Sequence, residues 1–73
     1  MSSENALSPL PDLTEIERRC LSLAANGRAP AEIAVETDLA MARVAEALRS
    51  AIDKLDARNV TGAIIRAIRL DLL

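Results

Sequence analysis

Residues 40–56, AMARVAEALRSAIDKLD, decide how this chain folds. Val44, Leu48, Ile52 and Leu55 recur at i, i+4, i+8 and i+11. At about 100° per residue, that spacing puts all four on one side of a helix. Met41 and Ala51 flank the stripe, and the opposite side carries Ala42, Arg43, Glu46, Arg49, Ser50 and Asp53, with Lys54 at its edge. A rod that is apolar on one side and charged on the other must bury the first side against other elements. The stretch therefore predicts a helix from about Ala40 to Asp56 whose four large aliphatic residues are core.

Working outward, Thr14 followed three residues later by Glu17 forms a capping box, which satisfies backbone donors in a helix's first turn. Ile16, Cys20, Leu21, Leu23 and Ala24 continue it as an apolar stripe. Asn26-Gly27 ends it, Gly27 being suited to the left-handed position just beyond a helix. Pro30 opens a second, short helix, where its missing N–H costs nothing. Thr37-Asp38 breaks that helix, and Leu39 is expected to bury beneath the turn. Downstream, Asn59 is a fair N-cap for a fourth helix. Val60, Ile64, Ala67 and Ile68 are expected on its inner face, with Ile65 off to one side. Residues 1–12, holding two prolines and three serines, show no helical period and are expected to form a flexible tail. Residues 13–73 make one helical domain.

The composition narrows the function. Seventy-three residues allow one domain, and 51% hydrophobic content supports a packed core. With no Phe, Tyr or Trp, that core must be built from Leu, Ile, Val, Ala and Met. Single cores of this size give marginal stability, and self-association is a common remedy, so a homodimer is expected. The absence of His removes the usual general base and the commonest metal ligand. One cysteine and two glycines provide neither metal-ligand spacing nor a phosphate-cradling loop. No enzyme activity, no cofactor and no metal are expected. Cys20, on an apolar stripe, reads as a small hydrophobe. Lacking a signal peptide or an apolar run of the ~20 residues needed to cross a bilayer, the chain is expected in a reducing cytoplasm, away from membranes. Its net charge is −2. Residues 13–42 carry three cations and five anions, whereas residues 43–73 carry six cations and four anions. A contact with nucleic acid should lie in the second half.

From Leu13 onward the chain resembles the LuxR/GerE-type helix-turn-helix domain. The likeness runs through Leu13-Thr14, Glu17, Leu21 to Gly27, Glu32-Ile33-Ala34, Val44, Ala51-Ile52, Lys54-Leu55, Arg58-Asn59, Ala63 and Leu70 to Leu73, without gaps. It implies an all-α, four-helix domain, stand-alone and GerE-like in length. The second and third helices would form the helix-turn-helix, the third would enter the major groove of double-stranded DNA, and the fourth would join two copies. The chain departs from the family pattern at the third helix. Ala40 stands where the family has an N-cap Ser, and Arg43 where it has Thr. Ala45 and Ala47 replace a usual Lys and His, and Asp53, Asp56 and Val60 replace basic or small polar residues.

Under this resemblance Arg43 and Arg49 are the best candidates to reach a guanine edge or a phosphate. Alternatively they pair with Glu46 and Asp53 at helical spacing and only solvate the surface. Lys54 and Arg58 match basic positions of the family and would touch phosphates. Ser50 could hydrogen-bond a base or the backbone, and Arg28 a phosphate beside the second helix's N-terminus. Glu46 either accepts from cytosine N4 or repels phosphates. Ile65, Ile68 and Ala67 are the expected dimer seam. Two functions follow: a homodimeric DNA-binding transcriptional regulator, or a helix-turn-helix scaffold that has lost DNA binding and modulates another transcriptional regulator.

Overall fold

The computed structural model describes residues 11–73, so the expectation for residues 1–10 lies outside it. The chain is all-α, with α1 (Glu15–Ala25), α2 (Pro30–Thr37), α3 (Met41–Lys54) and α4 (Val60–Arg69), and no strand among the described residues. The expected four-helix class is the one adopted. α3 is central and packs against α1, α2 and α4; α1 also meets α2 and α4, whereas α2 and α4 do not touch. No helix among the described residues is long and apolar enough to cross a membrane.

The starts follow the sequence. Thr14 accepts from the Glu17 N–H at 3.1 Å while Glu17 Oε1 accepts from the Thr14 N–H at 2.9 Å, closing the capping box. Asn59 Oδ1 accepts from the Gly62 N–H at 2.8 Å. At α2 the flanking residue is Ala29, which has no side-chain acceptor. Only the return half of a box forms there, with Glu32 accepting from the Ala29 N–H at 2.7 Å. α3 begins at Ala40 with no side-chain cap at all.

All four helices end in the same way. A residue with positive φ follows, and the next N–H bonds a carbonyl five residues back: Arg28 to Leu23, Leu39 to Ala34, Ala57 to Ile52 and Leu72 to Ala67. This is the Schellman closure, which satisfies the last carbonyls. Gly27 takes the left-handed position at α1, but Asp38, Asp56 and Asp71 take it elsewhere, at φ between 54° and 60°. Short polar side chains tolerate that region at modest cost.

The core consists of Cys20 and Leu21 from α1, Ile33 from α2, Val44, Ala47, Leu48 and Ala51 from α3, Leu55 just beyond it, and Ala63 and Ala67 from α4. Fully burying an aliphatic side chain such as Leu21, Ile33 or Leu55 contributes roughly 1.5–3 kcal/mol. Alanines at four of the ten positions let the helices approach closely without aromatic fillers.

Two inner faces are rotated from their expected positions. On α3 the buried line runs Val44, Ala47, Leu48, Ala51 and Leu55, whereas Ile52 is only partly buried. The alanines face α3's neighbours because they fit the narrow gap, and this turns the bulkier Ile52 toward the edge. On α4, Ala63 and Ala67 face inward, and Ile68 is 59% exposed. Leu39 is half-buried under the α2–α3 turn.

Candidate nucleic-acid interface on the third helix

At 100° per residue the four buried residues of α3, with Leu55 just beyond it, centre on one line, and Ala42, Glu46, Arg49 and Asp53 fall on the opposite one. All four are exposed, as are Arg43 and Ala45. This ridge stands clear of the protein's own helices. It carries one cation and two anions, with Arg43 on its α1-facing shoulder.

Among the described residues the ion pairs are Arg18–Glu15, Arg28–Glu36 and Lys54–Glu17. Arg43 and Arg49 are therefore not tied to Glu46 and Asp53, the alternative that their helical spacing allowed. Both guanidinium groups are open to an external partner. Arg58, between α3 and α4, is likewise exposed and outside these pairs.

The other candidates sit differently. Ser50 is half-buried rather than on the open face, and its hydroxyl donates to Glu17 Oε2 at 2.6 Å. The Lys54 ammonium donates to Glu17 Oε1 at 2.9 Å and to the Asp12 carbonyl at 3.0 Å. Arg28 pairs with Glu36 across the α1–α2 turn. Of the seven groups expected at DNA, the geometry brings Arg43, Glu46 and Arg49 together on one surface, with Arg58 nearby. Ser50, Lys54 and Arg28 are engaged with the protein itself.

Glu17 is the residue that sequence reasoning undervalued. Only 7% exposed, it accepts hydrogen bonds from the Thr14 N–H, Ser50 and Lys54. Burial by itself would raise its pKa, but the bonds from Lys54, Ser50 and Thr14 outweigh that and hold it at about 2. The signal was present, since Glu17, Cys20, Leu21 and Ala24 share one helical face, which puts a carboxylate on the inward stripe. Arg43, Glu46 and Ser50 line a hollow of about 320 Å³ beside it. Cys20 lies in the core, and burial pushes its thiol pKa up, away from nucleophilic chemistry.

The seam residues divide as well. Ile65 is 48% exposed and Ile68 faces solvent beside it, whereas Ala67 is fully buried against the chain's own core and has no surface to offer a second copy. Among the described residues, no group of three or more His, Cys, Asp or Glu side chains could hold a metal ion. No protein-family model and no curated protein matches this chain.

Proposed function

We propose that this chain is a small cytoplasmic helix-turn-helix regulator of the LuxR/GerE type that docks on double-stranded DNA as a homodimer, acting by binding rather than by catalysis. The observation that carries the proposal is the outer face of α3. It is a 14-residue rod, roughly 21 Å long, braced on its other sides by three helices and presenting Arg43 and Arg49 outward in none of the ion pairs among the described residues. A major groove accepts one helix of these dimensions. The uncapped start of α3 leaves backbone N–H groups for a phosphate. Arg49 would address a base edge from the ridge, and Arg43 and Arg58 the flanking backbone. Ile65 and Ile68, adjacent on the outer side of α4, would form the seam that pairs two such rods.

Salt dependence of duplex binding tests this directly. With Arg43 and Arg58 of both subunits neutralising about four phosphates per dimer, log K should fall linearly with log salt at a slope of about −3.6. Arg43→Ala, which removes one contact from each subunit, should flatten that slope by about 1.8. Ile65→Glu should sediment as a monomer. No binding to duplex DNA even at low salt overturns the proposal.

A second function has its own support in the ridge. Ala42, Glu46, Arg49 and Asp53 give the most exposed line of α3 a net negative charge, in a chain that is itself at −2. A scaffold of this kind could engage another transcriptional regulator instead, its α4 stripe capturing a related helix in a mixed dimer. A flat salt response together with retained self-association favours this alternative.

A further inference from the structure

Neither function uses the apolar floor of the α3 flank that faces away from Glu17. There a cleft of about 660 Å³ runs beside α3 to the starts of α2 and α4. Its floor is Met41, Ala45, Leu48, Ile52 and Val60, a surface without a hydrogen-bonding side chain. Met41 is 52% exposed, and Ile52 and Val60 are only partly covered. The rim carries Arg49 and Arg58 against a single Asp53. The two arginines stand in none of the ion pairs found among the described residues. This is a locally cationic margin on an acidic protein.

We propose that this cleft is a docking groove for an amphipathic helix of a partner protein, one with aliphatic anchors on one face and Glu or Asp along its flank. Three physical points select that occupant. The floor from Met41 to Ile52 spans roughly 16 Å, about three helical turns, which matches anchors at i, i+3/i+4 and i+7. Aliphatic side chains gain by covering the exposed Met41 thioether, an adaptable contact surface, whereas sugar and phosphate do not. The excess positive charge on the rim complements carboxylates on the incoming helix and disfavours a basic one. Because Arg49 belongs to both surfaces, the partner helix and DNA exclude each other. The groove thus supplies a regulator of the proposed DNA face, and only this competition rests on the DNA-binding proposal.

The test uses the full chain and two fluorescein-labelled synthetic helices of ~16 residues with identical leucine anchors, one flanked by Glu and one by Lys. Anisotropy should show the acidic helix binding at least about tenfold more tightly than the basic one, and Met41→Glu should weaken it about tenfold or more. Met41 is exposed, so this variant keeps its fold, and circular dichroism checks that. Arg58→Glu should reverse or erase the preference between the two helices. The proposal is overturned if neither helix binds up to about 1 mM, if both bind equally, or if Met41→Glu leaves binding unchanged. Duplex DNA added to the complex separates the two claims. Peptide binding without DNA binding removes the DNA-binding proposal and keeps the groove, whereas DNA binding without peptide binding does the opposite.

Discussion

The two flanks of α3 treat their side chains in opposite ways. Toward α1, polar groups turn inward: Ser50 and Lys54 reach past the helix surface to the buried Glu17 carboxylate. Toward α2 and α4, apolar groups turn outward, leaving Met41 exposed and Ile52 half-buried under a rim whose arginines form no ion pair among the described residues. One flank is closed by charge and the other is open and greasy. Polar letters alone thus do not mark the surface available to a ligand. Hydroxyl and ammonium groups that look like ligand contacts in the sequence are internal brackets here, and alanines and a methionine mark where a partner has room to approach.

The largest expected effect breaks the closed flank. Glu17→Gln keeps one oxygen, enough for the Thr14 N–H, but turns an NH2 toward the Ser50 hydroxyl in place of the Oε2 acceptor and removes the charge that Lys54 bonds. The carboxyl titrates at about 2 in the folded protein against an ordinary value of 4.5. That depression stabilises the native state at neutral pH by on the order of 3 kcal/mol. The contribution is complete above pH 4.5 and is lost as pH falls toward 2, because the unfolded chain then binds a proton that the folded one refuses. Urea unfolding should find the variant less stable by about this amount at pH 7. The wild-type midpoint should fall steeply between pH 4.5 and 2, with a shallower fall in the variant. Parallel pH profiles for the two proteins would show that Glu17 is not the lock.

Much of this architecture was legible in the sequence, for reasons that are local. Thr14 with Glu17, Pro30, Gly27 and Asn59 punctuate the helices through backbone donors a few residues away, so their effect does not depend on the rest of the fold. What escaped depends on distance. Ser50 lies 33 residues from Glu17 and Lys54 lies 37 residues from it, and no spacing rule joins them. The choice between Ile52 and Ala47 for the inner line of α3 turned on how close α1 and α4 come, which hydrophobicity alone does not rank. The same close approach turned Ile68 outward, while Ala67 faces inward as its helical spacing had placed it. Three aspartates in left-handed backbone positions escaped because glycine is the residue that advertises such a site.

A middle-sized effect separates the flanks by packing. Ile52→Ala should cost about 1 kcal/mol, below the 2–5 kcal/mol typical when a fully enclosed aliphatic residue is truncated. The cleft already admits solvent on that side, so little new cavity is created. The same truncation at Leu55, enclosed by the core, should fall within the larger range. Equal losses at the two positions, measured by chemical denaturation, would mean that the flank closes in solution and the groove does not stay open.

The smallest effect on stability is expected at the most open point of the cleft. Met41→Lys exchanges a half-exposed thioether for an ammonium in the first turn of α3, where no core contact is lost and water solvates the new charge. Stability should stay within about 0.5 kcal/mol of the parent, as for surface substitutions generally. The added cation joins Arg49 and Arg58 around one surface, so its consequence should appear in binding. If this side of α3 approaches a phosphate backbone, the salt slope for duplex DNA bound by the dimer steepens by about 1.8. Lys54→Ala should do the reverse, lowering the unfolding midpoint while leaving the slope nearly unchanged, because that ammonium already serves Glu17. Should Lys54→Ala flatten the slope and Met41→Lys leave it unmoved, the closed flank would be the side that meets DNA, and the two faces of the helix would have to exchange roles.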